Sequence, residues 1–331
     1  MFRAIKMYIR SPGGNDSQPS TIRVFSYKNF FEKNYIAECC LDVSVNKSTF
    51  YIWILCILGR YDAVLLSMPP FRGWGLLFLP FTRVILDVRD GWSIAMGSGY
   101  GGNLPPKPFK AKIARLVEKF AIRRSFVSIT CTKGLQEYLQ NVSGRQVLLV
   151  PNGVACDDLD LILNIKHNVT KVNFSDELIF CCAGQFSEYG KIKVEKLLRV
   201  IAKRYPDRRL KIKLIGSDLE KNNWVAEYFK SLTAGVGVVE ITPRMSKIDM
   251  YAEMMGCDFG LSIIRDPDYD YGTKIYEYIA LGLPVVNYFD GPNNFTEYFD
   301  ACLDEPFNKN SVLPEVRRNV LIESALAHIK W

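Results

Sequence analysis

Short apolar runs alternate with amphipathic stretches along almost the whole chain, and this alternation restricts the possible folds more than any other feature. Runs at Ala4–Ile9, Cys39–Val43, Ala63–Ser67, Val84–Val88, Val127–Cys131 and Val147–Val150 read as strands. Helical patterns fall between them at Thr21–Lys33, Ser48–Leu58, Gly73–Phe81, Phe109–Arg124 and Lys133–Asn141. Strands that alternate with helices predict a parallel sheet covered on both faces. Pro151-Asn152-Gly153 breaks the rhythm, and the polar stretch Asp157–Asp176 reads as a separator. The pattern then restarts, with strands at Leu178–Ala183, Lys211–Ile215, Gly237–Ile241, Phe259–Ile264 and Pro284–Asn287. The expected architecture is α/β: two Rossmann-like, doubly wound domains facing a cleft, over residues 1–151 and 152–312. A last helix within 313–331 is placed to pack back on the first domain. Ligands of such sheets bind at the carboxyl ends of the strands.

Composition removes several function classes. The 331 residues are 48% hydrophobic and 23% charged, which excludes disorder and coiled coil for the chain as a whole. Nine cysteines without regular spacing, and no CxxC, fit reduced thiols better than a disulfide scaffold or a zinc site. Two histidines, His167 and His328, leave little for a histidine metal site or a hydrolase triad. The start of the chain is too short and interrupted for a signal peptide. The longest apolar run, Phe50 to Leu58, is under half of the ~20 residues of a membrane span. A cytoplasmic protein is expected.

Four segments carry possible chemistry. In Ser11-Pro-Gly13-Gly14-Asn15-Asp16, the glycines follow the first strand and would let backbone amides approach a phosphate or sugar. A plain flexible connection explains the segment equally well. Gly97-Ser-Gly99-Tyr-Gly101-Gly102 matches G-x-G-x-x-G, but it lies nine residues past its strand and Pro105-Pro106 follows, so a mobile loop is expected there. Asp266-Pro-Asp268-Tyr-Asp270 resembles a calcium loop, yet Tyr271 stands where glycine is needed. The Asp-x-Asp within it keeps open a metal-dependent nucleotide site. The fourth segment, Gly272-Thr273-Lys274-Ile-Tyr-Glu277-Tyr278 through Gly282-Leu-Pro284-Val-Val286, places Lys274, Glu277 and Tyr278 near one end of a short helix that Gly282 stops. A carboxylate there can accept two vicinal hydroxyls at once. As a lone motif it reads as a surface ion pair.

Taken together, the motifs resemble a known family. The fourth segment is similar to the carboxyl-terminal signature of GT-B, family-4-like retaining glycosyltransferases of the bacterial surface-polysaccharide type. Ala183-Gly184-Gln185, followed by Gly190-Lys191, resembles the family's glycine loop, and Val150-Pro-Asn152-Gly153-Val154 its interdomain element. Asp87-Val-Arg89-Asp90-Gly-Trp92 resembles a motif of members that build surface polysaccharides. The resemblance implies that Glu277 binds the ribose of a nucleoside diphosphate-sugar. Lys191, the amides near Gly184, Thr273 and Lys274, and Arg265 would meet the diphosphate, with Gly13 and Gly14 on the donor side. Asp90 or Asp87 would orient the acceptor or the donor sugar. No metal or other cofactor is implied, and the acceptor would be a glycan on a polyprenyl diphosphate. The departures are Tyr269 where a first glutamate is expected, Gln185 where an arginine is expected, and no histidine at the first sheet's edge. The rival readings are a nucleotide-sugar 2-epimerase, a metal-dependent transferase of the other large fold, and a non-catalytic partner subunit.

The net charge of +7 is concentrated: Lys107 to Arg124 holds seven basic residues and one acid. Lys112, Arg115, Lys119 and Arg123 form one stripe of a helix, with Ile113, Leu116, Val117 and Phe120 expected to pack on the core opposite. With the aromatic segment 70–83, this half could contact the inner face of an anionic membrane peripherally. Nothing resembles a nucleic-acid recognition module.

Overall fold

The computed structural model describes residues 5–11, 19–35, 37–42, 48–68, 73–102, 104–168, 177–184, 186, 190–307 and 312–329. The chain divides into two compact units, one of residues 1–155, 268–270 and 317–331, the other of 156–267 and 271–316.

The first unit is a six-stranded sheet of β1 (Ile5–Arg10), β2 (Ala37–Asp42), β3 (Ala63–Met68), β4 (Arg83–Val88), β5 (Val127–Thr130) and β6 (Leu148–Leu149). Every pairing is parallel, in the order β2-β1-β3-β4-β5-β6. All six residues of β3 are buried. Alternate side chains explain why: Val64, Leu66 and Met68 join one core and Ala63 and Leu65 another. The first core is closed by α2 (Thr49–Ile57), α4 (Pro108–Arg124) and α5 (Lys133–Ser143). The second is closed by α1 (Pro19–Asn34) and, from the far end of the chain, by Ile322 and Leu326 of α12 (Arg318–Leu326). Arg318 secures that return by donating to the carbonyls of Asn152 and Gly153, the second at 2.8 Å.

The second unit is a five-stranded parallel sheet of β7 (Glu177–Ala183), β8 (Arg209–Ile215), β9 (Val238–Thr242), β10 (Phe259–Leu261) and β11 (Val285–Val286), ordered β11-β10-β7-β8-β9. Its helices are α6 (Cys156–Asn168), α7 (Lys191–Arg204), α8 (Leu219–Leu232), α9 (Lys247–Met255), α10 (Lys274–Leu281) and α11 (Asn294–Phe299). One core lies between the sheet and α7 and α8, around Val194, Leu198, Val225 and Phe229.

Four local expectations are corrected. The stretch expected to separate the domains contains a helix, α6, with Ile162 fully buried and Asp158 paired to Lys247 at 2.6 Å. Gly73–Phe81 is not an α-helix but a short 3₁₀ turn, Trp74–Phe78. The Gly97–Gly102 segment is not a loop; it is the second half of α3 (Trp92–Gly102). α3 packs on α4. At Gly99, with φ +66°, a side chain would strike the Leu104 carbonyl. Finally, α4 keeps its basic stripe outside and packs Phe120 on the first core as expected, but the face it buries is centred elsewhere. Its buried residues are Ala114, Glu118, Ala121 and Ile122, while Ile113 and Leu116 face outward.

Candidate functional site

The order of the second sheet changes direction at β7, which has β10 on one side and β8 on the other. A crevice opens beyond the carboxyl ends at such a switch point. Here a small pocket of about 50 Å³ is lined by Ala183 and Gly184 after β7, Ser262 and Ile264 after β10, and Gly272, Thr273 and Lys274 at the start of α10.

Packing beneath the pocket fixes its shape. Gly260 in β10 makes room for the Tyr278 ring, since a side chain there would start 2.4 Å from it. The Tyr278 hydroxyl accepts the Ala183 N–H at 3.1 Å, and burial raises its pKa well above the usual phenol value. α10 is thereby held to the end of β7, and Gly282, with φ +82°, terminates it. Thr273 sits at the N-cap of α10 but makes no side-chain bond to the helix, so the first-turn amides keep their partial positive charge for a ligand. Gly184 has φ +114° and open space where a side chain would be. Its amide donates to the Ile215 carbonyl and its own carbonyl accepts the Ser217 hydroxyl at 2.5 Å. Burial pushes the Cys182 thiol up to about 12, leaving a neutral wall.

Of the charged candidates in this unit, Lys274 lines the pocket. Glu277 is one turn into α10, largely buried, and its Oε2 accepts from Lys274 Nζ at 2.7 Å. Lys191 opens α7, after Gly190 at φ +95°. Its ammonium is exposed, 5.0 Å from the centre of the Trp224 ring and 3.9 Å from Glu195. Arg265 follows Ile264 with an exposed side chain, and its carbonyl accepts Lys193 Nζ at 2.7 Å. Thus Gly184, Thr273 and Lys274 line one pocket, and Glu277, Lys191 and Arg265 belong to the same unit. Gly13, Gly14 and Gln185 lie outside the described residues. Among the described residues, no group of three or more histidine, cysteine, aspartate or glutamate side chains is placed to hold a metal ion. Sequence reasoning placed Tyr278 with Lys274 and Glu277 but not its contact with β7 and β10, for which the glycine at 260 in an apolar strand was the available sign, and it missed Ser217 and Trp224.

In the first unit, the two candidate aspartates differ sharply. Asp87 is fully buried. It accepts from Arg23 at 3.0 and 3.2 Å, from the Tyr27 hydroxyl at 3.2 Å and from the Ser67 hydroxyl at 3.0 Å. Burial opposes the Arg23 charge, but Asp87 outweighs it and holds the guanidinium protonated. Arg23 also donates to the Pro151 carbonyl at 3.3 Å. In the structure both oxygens of Asp87 are therefore engaged by side chains of the first unit. Asp90, just past β4, is exposed. Tyr269 presents no carboxylate; its carbonyl accepts the Thr132 hydroxyl at 3.0 Å and its ring lies 6.0 Å from Tyr138.

The start of α3 is held from α4. Buried Glu118 accepts the Ser93 N–H at 3.1 Å and the Ser93 hydroxyl, which also lies 2.7 Å from the Tyr138 hydroxyl. Burial, opposed by the Ser93 bonds, raises the Glu118 pKa. The folded state therefore keeps this proton where the unfolded chain has lost it, and stability falls as pH rises from about 4.3 through the folded value. Glu118→Gln is expected to remove that decline while keeping the fold. Urea melts of both proteins from about pH 4 upward check it, and parallel stability curves would refute it.

No family model matches the chain, and no curated protein matches it by sequence. Solved structures do. Sucrose-phosphate synthase from Thermosynechococcus elongatus aligns with a TM-score of 0.61 at 14% identity, over 98% of this chain and 90% of that one. HepE of Anabaena in complex with UDP gives 0.58 at 13%, over 89% and 82%. A putative UDP-N-acetylglucosamine 2-epimerase from Listeria monocytogenes gives 0.53 at 12%, over 97% and 87%. At such identities the likeness carries the fold and nothing finer, and that fold is GT-B, built here from two Rossmann-like α/β units with parallel sheets.

Proposed function

We propose that the protein is a glycosyltransferase that takes a sugar from a nucleoside diphosphate donor bound in the second unit. The observation that carries this reading is the pocket at the β7–β10 switch point, with the uncapped start of α10 on its rim and Glu277 one turn behind. Glu277 would hold the ribose hydroxyls. Lys191, Arg265, Lys274 and the amides at the start of α10 would balance charge on the leaving diphosphate beside Gly184, as preorganised cations and helix ends can do without a metal. Asp90 is left as the aspartate of the first unit able to meet a sugar. By resemblance, the transfer retains anomeric configuration and serves a polyprenyl-linked glycan at the cytoplasmic face. The UDP-bound HepE neighbour supports the donor class.

The test is a thermal-shift panel of UDP, GDP, dTDP and CMP, each with EDTA and again with manganese. A ligand at about 100 times its Kd adds about 2.7 kcal/mol of stability. One nucleoside diphosphate should stabilise the protein equally in EDTA. A shift that needs manganese would return the Asp266-Pro-Asp268 segment to the site, and no shift with any nucleotide would remove the donor pocket. The epimerase-like neighbour motivates one further control. An epimerase would convert the sugar nucleotide with no acceptor present, and the proposed transferase leaves it intact.

A further inference from the structure

The start of α7 runs against the usual charge pattern of a helix. First-turn positions favour acids, because that end of a helix carries partial positive charge. α7 has no acid there; Lys191 and Lys193 occupy the turn, and Gly190 at the N-cap makes no side-chain bond. The turn lies at the carboxyl end of β7, since α7 follows that strand, and the donor pocket opens at the same end. Lys193 is engaged with the pocket wall: its Nζ donates to the carbonyl of Arg265, the neighbour of Ile264. Lys191 keeps an exposed ammonium.

Two groups compete to hold that ammonium. Glu195, one turn on, is 3.9 Å away, but its other oxygen pairs with Arg199 at 3.6 Å. The Trp224 ring of α8 has its centre 5.0 Å from Nζ, inside the ~6 Å reach of a cation–π contact. The ring is itself fixed from behind. Trp224 packs on the core of the second unit, and the Tyr228 ring, one turn further along α8, lies 6.3 Å from it. The chain entering α8 is tied to the pocket as well, through the Ser217 hydroxyl on the Gly184 carbonyl. The two partners differ in what they leave of the charge. A carboxylate cancels it, whereas an aromatic face attracts the cation through its quadrupole and carries no net charge. Without such a wall, a lysine on its flexible four-carbon stem is a poorly placed point charge. We propose that Trp224 is a positioning residue that holds the Lys191 ammonium in place, and still charged, for the diphosphate of the donor. This role rests on the donor-site reading above.

Calorimetric titration of the full chain with a nucleoside and with its diphosphate tests it, using the base that the thermal-shift panel selects. Trp224→Leu should weaken diphosphate binding about two- to fivefold, the range of an exposed cation–π contact, and leave the nucleoside unchanged. Trp224→Phe, whose ring holds a cation less well, should fall between the parent and the leucine variant, and it carries the test if the latter does not fold. In a Lys191→Ala background the same substitutions should have no further effect on the diphosphate, because the ring then has no cation to hold. A tryptophan that only supports the fold would weaken nucleoside and diphosphate alike, and its effect would persist without Lys191. Either result overturns the proposal, as does a Trp224→Leu protein that binds the diphosphate as tightly as the parent. A parent protein that binds no nucleoside diphosphate is a different failure, which removes the donor site and this role with it.

Discussion

Asp87→Ala is expected to destabilise the first unit by about 3–5 kcal/mol, the range for breaking a buried ion pair by removing one partner. The loss follows from what stays behind. Arg23 is 1% exposed and would keep its charge without a counterion, while the Tyr27 and Ser67 hydroxyls would lose their acceptor. At about 2–4 °C per kcal/mol for a domain of this size, melting should fall by roughly 6–20 °C. The double substitution Arg23→Met, Asp87→Leu removes both charges and should recover more than half of that loss, since an apolar pair of similar volume can replace a buried ion pair. Circular dichroism melts of the two variants decide it. A single variant that melts within about 2 °C of the parent would show that Asp87 does not hold this unit together.

The same pair shows where reading a sequence stops. Asp87 and Asp90 sit three residues apart in one motif and were equal candidates. β4 carries Asp87 into the sheet interior, where its partner comes from α1, 64 residues away. A charged residue inside the apolar run Val84–Val88 was the local sign of a buried partner, but nothing local names Arg23. The doubly wound pattern was legible because burial on both faces of a parallel sheet demands continuous apolar strands, and every strand from β1 to β5 answers to one of the runs. The site was legible where it depended on short-range geometry: Gly282 ends α10, and Lys274 and Glu277 meet across i, i+3. It was not legible where it depended on packing partners. The basic stripe of α4 was legible, but the buried face is centred on the small residues Ala114 and Ala121, which pack close to α3, so Ile113 and Leu116 are left outside. Likewise the glycines at 97–102 read as a loop, yet they lie in α3, where a side chain at Gly99 would meet the Leu104 carbonyl.

Glu277→Ala is expected to raise the Kd for the stabilising nucleoside diphosphate by tenfold to a hundredfold. In the proposed site the carboxylate accepts two ribose hydroxyls. Oε2 is already held by Lys274, and Oε1 accepts no hydrogen bond from any described residue. Bonds to a charged acceptor contribute about 1.5–3 kcal/mol, and every 1.4 kcal/mol is tenfold in affinity. Stability without ligand should change little, because an i, i+3 ion pair whose lysine end reaches solvent contributes only about 0.2–0.5 kcal/mol. That contrast separates a ligand contact from a structural one. Calorimetric titration with nucleoside and nucleoside diphosphate separates the roles further. Glu277→Ala should weaken both alike, whereas Lys191→Ala should weaken only the diphosphate, since its ammonium is placed for charge and not for ribose. If Glu277→Ala lowers melting strongly but leaves both affinities unchanged, Glu277 serves α10 and Lys274 alone, and the ribose must be held elsewhere on the pocket rim.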